Sequence, residues 1–281
     1  MRFKLSICIP TFNRAKYLNN LLNSIYITNS CLLEEIEICI SDNNSSDETE
    51  DVVKSYSTRL AIKYKKNEMN VGLAKNILEV VEMAKGEFVW ILGDDDLILK
   101  NSFEKLNNIF NSNSDIDFIY TNAYNLSKEY LEKFDNPFDT DNLPKEMDRF
   151  SKWNKDYEIK FLKLINPKIS FDYLGGIFLS VFRRDKWMEN LSCISNDQIK
   201  VENSFSDLEN TFPHIKVFAN SFKNSKAYFN SEPLVVCIND VREWLNSYPF
   251  IRSIILVEAL KEYKKNGLSY FNYFLCKNAI L

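Results

Sequence analysis

The stretch Phe88–Asp96 reads FVWILGDDD, in which five apolar residues and one glycine lead directly into three consecutive aspartates. A continuous apolar run of this kind predicts a buried strand, and ligands of open α/β sheets bind beyond the carboxyl ends of strands. Three carboxylates repel one another unless a cation neutralises them, and carboxylate oxygens favour Mg²⁺ or Mn²⁺ shared with substrate phosphates. The alternative is a solvated acidic turn before a helix, which we expect from Leu97 to Phe110.

The composition is that of an ordinary globular protein, with 281 residues, 45% of them hydrophobic and 26% charged. This size provides for one large α/β domain, or for one domain with an appendage. A formal net charge of −4 gives no sign of a nucleic-acid-binding surface. The N-terminus has no signal-peptide pattern and no apolar run approaches membrane-spanning length, so we expect a cytoplasmic protein.

The six cysteines include no C-x-x-C pair, and Cys8 and Cys39 lie inside apolar runs of strand character. We therefore expect buried thiols in a reducing compartment rather than disulfides or zinc ligands.

Short apolar runs alternate with stretches of helical periodicity through the first 120 residues. Leu18, Leu21, Leu22 and Ile25, for example, have the i, i+3, i+4, i+7 spacing of an amphipathic helix. The alternation predicts a mainly parallel sheet covered by helices on both faces. Strands are expected at 5–10, 36–41, 60–64, 88–92 and 116–120.

Polar residues follow three of these strands, at Thr11–Asn13, Asp42–Asn44 and Asp94–Asp96. Because the carboxyl ends of parallel strands meet at one edge of a sheet, these residues should converge on one crevice. Solvation alone does not account for three such ends. The pattern therefore predicts a nucleotide pocket in which the acids hold a metal ion against a diphosphate.

Four separated stretches resemble, in order and spacing, the nucleotide-binding half of family 2 glycosyltransferases with the GT-A fold: LSICIPTFNRAKYL, EIEICISDNNSSDET, NVGLAKN and GEFVWILGDDD. The likeness covers about residues 4–120. It continues more loosely through FDYLGGIFLSVFRRDKW, NTFPHIKVF and SEPLVVCIND, which are similar to segments of bacterial O-antigen sugar transferases of the abequosyltransferase type. The resemblance implies an α/β fold with a mainly parallel sheet flanked by helices and a helical C-terminal extension.

For the donor nucleotide, the resemblance implies that Pro10 and Phe12 line the base pocket. Asp42 and Asn43 would read the base and the ribose, and Lys75 is a candidate phosphate contact, although a solvated helix lysine is an equal alternative. Most family members have an acid at the position of Asn43. An amide can both donate and accept, so the base stays open and cytosine comes into consideration.

For the metal, the resemblance aligns Asp95 and Asp96 with the family's metal-binding pair and implies Mn²⁺ or Mg²⁺ as cofactor. Asp96 is the expected direct ligand, and Asp95 is expected to take part in donor binding and catalysis. Gly93 stands where many relatives have another acid. Asp94 is expected to supply a carboxylate to the metal and donor site instead.

In the second half, Gly175 and Gly176 precede a strand expected at Ile177–Phe182 and allow close approach of a ligand to the backbone. The resemblance places this segment below the donor sugar. The irregular stretch 123–170 is either a poorly ordered insertion or a variable acceptor-binding segment.

His214 is the chain's one histidine, and it lies where family 2 enzymes carry the Glu-Asp pair that supplies the general base. A lone histidine is usually structural, but an unperturbed pKa of about 6.5 suits proton removal from a sugar hydroxyl. We therefore expect His214 to be the catalytic base. Asp207 and Glu209 are the alternatives if the helix register is shifted.

The predicted organisation is a nucleotide-sugar-binding half at residues 1–122, an acceptor-binding half of the same domain at 123–240, and a C-terminal helical extension at 241–281. Within the extension, Leu268–Leu281 is aromatic and apolar with one lysine. It is expected to pack on the body, or else to lie on a membrane surface in peripheral association.

The resulting expectation is metal-dependent transfer of a sugar from a nucleoside diphosphate sugar to a hydroxyl of a glycan or lipid-linked acceptor in bacterial surface polysaccharide synthesis. A sugar-nucleotide pyrophosphorylase would need a glycine-rich basic loop after the first strand, and a dehydrogenase would need G-x-G-x-x-G there. Pro10–Arg14 is neither. A degenerate domain that binds nucleotide or glycan without turnover is the non-enzymatic alternative.

Overall fold

The computed structural model describes residues 3–28, 31–195, 199, 205–241 and 247–280. Its first four strands pair with one another in parallel and have the spatial order β3-β2-β1-β4. They are β1 (Leu5–Thr11), β2 (Ile36–Asp42), β3 (Ile62–Lys66) and β4 (Phe88–Ile91). All four carboxyl ends therefore lie at the same edge of the sheet.

Helices cover this parallel half because β1, β2 and β4 are apolar on both faces. Every residue of β2 and of β4 is buried. The covering helices are α1 (Ala15–Ile27), α2 (Thr49–Tyr56) and α3 (Leu73–Met83). The buried residues of α1 include the four predicted from their spacing, Leu18, Leu21, Leu22 and Ile25.

The second half continues the same sheet with mixed strand directions. The added strands are β5 (Asp96–Ile98), β6 (Phe118–Ser127), β7 (Asp148–Arg149), β8 (Tyr157–Lys160), β9 (Ser180–Arg183) and β10 (Lys226–Asn239). β9 joins the halves by pairing antiparallel with both β4 and β6. β6 runs across the boundary predicted after residue 122, so both halves share one sheet of ten strands among the described residues.

The helix predicted from Leu97 to Phe110 begins later than expected. Asp96–Ile98 forms β5, which pairs antiparallel with β10, and α4 spans Ser102–Ser112. Leu97 and Ile98 are buried, and the Ile98 N–H donates to Ser24 Oγ (2.9 Å). The partner strand comes from residues 235–237, far away in sequence, so the local pattern did not contain it.

The strand predicted at Ile177–Phe182 is also shorter than expected. Residues Ile177–Leu179 form a 3₁₀ turn, and β9 begins at Ser180. The Phe178 carbonyl accepts from Trp90 Nε1 (2.7 Å) and from the Thr121 hydroxyl (3.0 Å). Side-chain donors therefore occupy the carbonyl that a longer strand would have used for pairing.

The stretch 123–170 packs against the body through α5 (Lys128–Leu131) and a small second core. Phe138 is buried there, and its N–H donates to the Asn20 side chain on α1 (2.7 Å). The core consists of Leu97, Leu126, Leu131, Phe138, Val236 and Ile238. Acceptor binding by this stretch stays a prediction.

Further helices lie in the second half of the described residues. They are α6 (Arg184–Glu189), α7 (Leu208–Thr211), α8 (Pro213–Ser221), α9 (Tyr248–Phe250), a π-helical turn Ile251–Ile255, α10 (Leu256–Lys265) and α11 (Tyr270–Ile280). None of the helices in the described ranges has the length and apolar character needed to cross a bilayer. All six cysteines lie in the described residues as free thiols.

Candidate active site

The polar ends of β1, β2 and β4 meet at one edge of the sheet. The Asn43 N–H donates to the Thr11 carbonyl (2.9 Å), and the Thr11 hydroxyl donates to Asp94 Oδ2 (2.7 Å). One threonine therefore joins the loop after β2 to the acidic turn after β4. The structure brings together the three strand ends that the sequence placed at a common crevice.

The loops after β1 and β2 are also bonded to each other. Asn13 has a φ of 52°, and its side-chain oxygen accepts from the Ser46 N–H (2.7 Å). The N–H of Ala15, the first residue of α1, donates to Asp47 Oδ2 (2.9 Å). A carboxylate from the neighbouring loop thus satisfies the start of α1 and fixes this helix beside the crevice.

The predicted base pocket divides into exposed and buried members. Pro10 and Phe12 are half-buried at the end of β1 and can meet a ligand. Asp42 is buried, its Oδ1 accepting from the Ser45 N–H (2.8 Å) and its Oδ2 from the Tyr64 hydroxyl (2.6 Å). Burial and the neighbouring Asp42 raise the pKa of Tyr64, which keeps the hydroxyl a donor. Base and ribose recognition by Asp42 stays a prediction.

Asn43 joins two loops through its side chain. Its Oδ1 accepts from the Val71 N–H (2.8 Å), and its Nδ2 donates to Asn70 Oδ1 (2.7 Å). The residue is 3% exposed, so in this conformation it orders the entrance of α3 rather than presenting its amide to a base. Lys75 is exposed on the first turn of α3. Base readout by Asn43 and phosphate contact by Lys75 both stay predictions.

The three aspartates after β4 have different surroundings. Asp94 and Asp96 are buried, whereas Asp95 is partly exposed. Asp96 begins β5, and its Oδ2 accepts from the Gly93 N–H (2.8 Å). Burial and the absence of a helix at Leu97 count against the solvated helix-capping turn. Asp94–Asp96 is therefore a cluster of carboxylates held in place by the fold.

Arg14, which the sequence pattern did not single out, supplies the positive charge of this cluster. Its Nε lies 2.7 Å from Asp94 Oδ1, and its Nη2 lies 2.9 Å from Asp95 Oδ2. Its Nη1 donates to the Val241 carbonyl (2.9 Å), and the guanidinium lies over the Tyr17 ring. The cation that three consecutive acids require is therefore an arginine in this conformation.

The protonation of Asp94 depends on this arginine. Burial raises the pKa of Asp94 to about 7, while the charge of Arg14 and the Thr11 hydroxyl act in the opposite direction. Without Arg14 the pKa of Asp94 would therefore lie higher still. Charge balance is the signal that could have found Arg14, since it is the first basic residue after β1.

Two of the carboxylates fit a divalent ion. A Cβ atom at Gly93 would lie 2.5 Å from Asp95 Oδ1 and 3.2 Å from Asp96 Oδ2, so both oxygens face a residue that has no side chain. Among the described residues, no group of three or more His, Cys, Asp or Glu side chains could hold a metal ion. Mg²⁺ often uses one or two carboxylates together with substrate phosphates, and Asp95 and Asp96 suit that arrangement.

The loop before β9 is strained. Tyr173 and Leu174 both have positive φ, 52° and 71°, a conformation that is uncommon without glycine and that clusters at functional sites. The Gly176 N–H donates to Asp172 Oδ2 (2.7 Å), and a Cβ at Gly176 would lie 2.9 Å from that oxygen. The close approach that requires this glycine is therefore made by Asp172. Ligand contact by Gly175 and Gly176 stays a prediction.

His214 forms a hydrogen bond with this loop. Its Nε2 lies 3.1 Å from the Leu174 carbonyl, and because a carbonyl only accepts, Nε2 carries the proton. The residue is 2% exposed, and burial lowers the pKa of its ring to about 4. A general base must reach the acceptor hydroxyl, which an enclosed ring does not. The geometry therefore supports a positioning role, in contrast to the expected catalytic one, which has not been tested.

The two alternatives to His214 differ in their partners. Asp207 is half-buried at the start of α7, where its Oδ1 accepts from the Asn210 N–H (2.9 Å). Glu209 forms an ion pair with Lys216 and accepts from the Ser195 N–H (3.1 Å). Asp207 thus has no basic side chain among its described partners, whereas the charge of Glu209 is balanced by Lys216.

Two tyrosines connect the strained loop to the C-terminal helices. The Tyr263 hydroxyl donates to the Tyr173 carbonyl (3.1 Å), and the Tyr173 hydroxyl donates to the Cys276 carbonyl (2.9 Å). α10 and α11 therefore hold the loop from one side while His214 holds it from another. The residues involved are 90 and 103 positions apart, so no local pattern could have linked them.

The buried His214 predicts a specific acid sensitivity. An unfolded histidine titrates near 6.5, whereas the folded ring titrates at about 4. The unfolded state alone takes up a proton as the pH falls through this window, so stability is present above 6.5 and decreases toward 4. The free energy of unfolding should fall by about 2 kcal/mol more between pH 7 and pH 5 in the parent than in His214→Asn.

Urea unfolding at the two pH values measures this difference, and all other titrating groups contribute equally to parent and variant. Equal pH dependence in the two proteins would contradict the buried, neutral state of His214.

Comparison with known proteins gives a consistent family. Residues 6–182 match the model of glycosyl transferase family 2. Abequosyltransferase RfbV of Salmonella typhimurium is 31% identical over 248 residues, which is 84% of this chain and 67% of that protein.

Two solved structures match nearly the whole chain. One is S. aureus TarS 1–349 in complex with UDP-GlcNAc (TM-score 0.62, 18% identity, 98% of this chain and 70% of that one). The other is the mannosyltransferase PcManGT from Pyrobaculum calidifontis in complex with GDP-Man and Mn²⁺ (TM-score 0.59, 15% identity, 99% and 69%). At these identities they establish the fold, and the expected GT-A α/β architecture is confirmed.

Proposed function

The chain belongs to glycosyltransferase family 2, and on that basis we propose that it moves a sugar from a nucleoside diphosphate sugar to a hydroxyl of a glycan or lipid-linked acceptor, with Mn²⁺ or Mg²⁺ as cofactor. The reaction would serve bacterial surface polysaccharide synthesis. We place it in the cytoplasm, at the inner face of the membrane when the acceptor is lipid-linked. The free thiols are consistent with a reducing compartment.

The observation that carries the proposal is the pair Asp95 and Asp96 converging on Gly93, beside the ends of β1 and β2. A diphosphate in this crevice would bring its oxygens to the two carboxylates. TarS and PcManGT, whose folds match, were solved with UDP-GlcNAc and with GDP-Man and Mn²⁺. These complexes support the donor and cofactor classes.

The residues of the candidate site would have different roles in the reaction. A divalent ion held by Asp95 and Asp96 would neutralise the charge that develops on the leaving diphosphate. Phe12 offers an apolar face to the base, and the Arg14 guanidinium would balance the charge of Asp94 and Asp95. His214, Tyr173 and Tyr263 keep the 172–176 loop in its strained shape, against which the acceptor would be oriented.

We propose Asp207 as the proton acceptor in place of His214, because its carboxylate is partly exposed whereas the His214 ring is enclosed. Asp207 is partly exposed, and the hydrogen bonds of its helix cap lower its pKa against the opposing effect of burial. It is therefore ionised at neutral pH and can accept a proton from an acceptor hydroxyl.

Nucleotide binding tests the donor class directly. UDP, GDP, CDP and dTDP are each added to the protein with and without Mn²⁺, and the melting temperature is recorded. A ligand that binds only the folded state raises the melting temperature. At a hundredfold excess over Kd, such a ligand adds about 2.7 kcal/mol to the free energy of unfolding. We expect at least one nucleotide to stabilise the protein, and to do so more strongly with Mn²⁺. No shift with any of the four would contradict the proposal.

A further inference from the structure

The C-terminal helices expose an unusual amount of apolar surface. Tyr270, Phe271 and Phe274 on α11 are 71%, 76% and 53% exposed, and Leu275 extends the same side of the helix. We call these four residues the C-terminal aromatic surface. Of the thirteen large apolar side chains exposed among the described residues, seven lie between 248 and 275. The other three are Tyr248, Phe250 and Ile254.

This exposure does not come from a detached helix. The opposite side of α11 is packed on the body, where Cys276 and Ile280 are buried. The Cys276 carbonyl accepts from the Tyr173 hydroxyl (2.9 Å), and its Sγ lies 3.5 Å from the Ile165 carbonyl. α11 therefore presents its aromatic side outward from a fixed position, and large exposed apolar patches of this kind mark interaction sites.

The charges around the surface are one-sided. Both acids between 248 and 280 have partners in the chain: Glu258 accepts from the Leu208 N–H (3.2 Å), and Glu262 accepts from Asn220 (3.2 Å) and Asn266 (3.0 Å) and lies 4.0 Å from Lys265 Nζ. The five basic residues of the same stretch outnumber them. Arg252, Lys261 and Lys265 are exposed, Lys277 is partly exposed, and Lys264 lies over the Tyr270 ring, 3.5 Å from its centroid.

Aromatic side chains lie beside lysines and arginines here, and both acids have partners within the chain. This combination suits the surface of an anionic lipid bilayer. Tyr, Trp and Phe are accommodated at the boundary between headgroups and acyl chains, and lysines near that boundary are attracted to anionic lipids. We propose that the C-terminal aromatic surface docks the protein on a membrane containing anionic phospholipids. Docking at α11 would hold the 172–176 loop close to the bilayer, because Tyr173 is bonded to α11.

Vesicle co-sedimentation tests the proposal with the full chain. The parent is mixed with vesicles of phosphatidylcholine alone or of phosphatidylcholine with phosphatidylglycerol, at low salt. We expect binding to the anionic vesicles and at least a tenfold weaker partition for Phe271→Ser/Phe274→Ser, because both rings leave the apolar phase. Lys277→Gln, a substitution on α11 itself, should weaken the partition by about fivefold.

Tyr26→Ser is the matched control, because Tyr26 is an exposed aromatic residue at the C-terminal end of α1 and does not belong to the C-terminal aromatic surface. It should bind anionic vesicles as the parent does, and thermal unfolding should find all variants folded. Equal binding to neutral and anionic vesicles, or undiminished binding by the double variant, would overturn the proposal. So would the finding that the parent is a dimer that dissociates on the double substitution and ignores vesicles, since a second copy would then cover the surface.

The vesicle result is independent of the nucleotide screen. A protein that binds nucleotide and Mn²⁺ but not anionic vesicles would retain the proposed function and lose only the membrane surface. The reverse outcome would leave the membrane surface and remove the proposed donor class.

Discussion

Replacing Asp96 with asparagine is expected to lower metal-dependent sugar transfer by about 10²–10³-fold. The amide keeps the volume of the side chain and an oxygen that can accept from the Gly93 N–H (2.8 Å). It loses the negative charge that, with Asp95, would hold the divalent ion at Gly93. The measurements are the initial rate at saturating Mn²⁺ and calorimetric binding of Mn²⁺ in the presence of the nucleotide found in the screen. Mn²⁺ binding should weaken together with the rate.

Asp115→Asn is the matched control for this substitution. Asp115 is an exposed carboxylate that forms an ion pair with Lys226, away from the crevice. It should transfer sugar and bind Mn²⁺ as the parent does. An Asp96→Asn protein with the parent's rate and the parent's Mn²⁺ affinity would show that Asp96 is not a metal ligand.

Replacing Arg14 with methionine should have the largest effect on stability. The substitution leaves Asp94 and Asp95 without the guanidinium that lies 2.7 and 2.9 Å from them. Removing one partner of a buried ion pair typically costs about 3–5 kcal/mol, and the lower end applies because Asp95 is partly exposed. We expect the free energy of unfolding to fall by about 3 kcal/mol, which corresponds to a decrease of about 6–12 °C in melting temperature.

Mn²⁺ gives this prediction a second readout. Arg14 and a divalent ion would both neutralise Asp95, so Mn²⁺ should raise the melting temperature of Arg14→Met by more than that of the parent. Arg14→Lys, which keeps the charge but not the fork of donors, should lie between the two. Arg59→Met is the control, because Arg59 lies over two tyrosine rings without an acid partner among the described ion pairs. An Arg14→Met protein that melts like the parent, or that gains no more from Mn²⁺, would contradict the role of Arg14.

Sequence reasoning was most successful where the information is local. The periods of the apolar residues placed β1, β2 and β4 and the helices between them, because each strand is buried on both faces and each helix on one. Parallel strands then place their carboxyl ends at one edge, which is why the meeting of Thr11, Asn43 and Asp94 could be anticipated. The predicted start of α4 was wrong because β5 is created by pairing with residues 235–237 of β10, which are distant in sequence.

The site's internal contacts could not be predicted in the same way. Asn43 reads as a base-recognition residue, yet its amide is taken up by Val71 and Asn70. His214 has the residue type of a general base, yet its burial and its bond to Leu174 depend on two segments 40 positions apart. Residue type predicts which chemistry a side chain can perform, whereas its partners in the fold decide which it performs.

We propose that this family 2 glycosyltransferase uses a nucleoside diphosphate sugar with a divalent ion at Asp95 and Asp96. The most direct test is hydrolysis of a panel of UDP-, GDP-, CDP- and dTDP-sugars by the purified protein, in which water accepts the sugar and nucleoside diphosphate is released, with Mn²⁺, with EDTA, and with Mn²⁺ restored in excess. We predict release from at least one donor that EDTA suppresses and Mn²⁺ restores. Undiminished release in EDTA would contradict the metal dependence, and no release from any donor with Mn²⁺ present would contradict the proposed donor class.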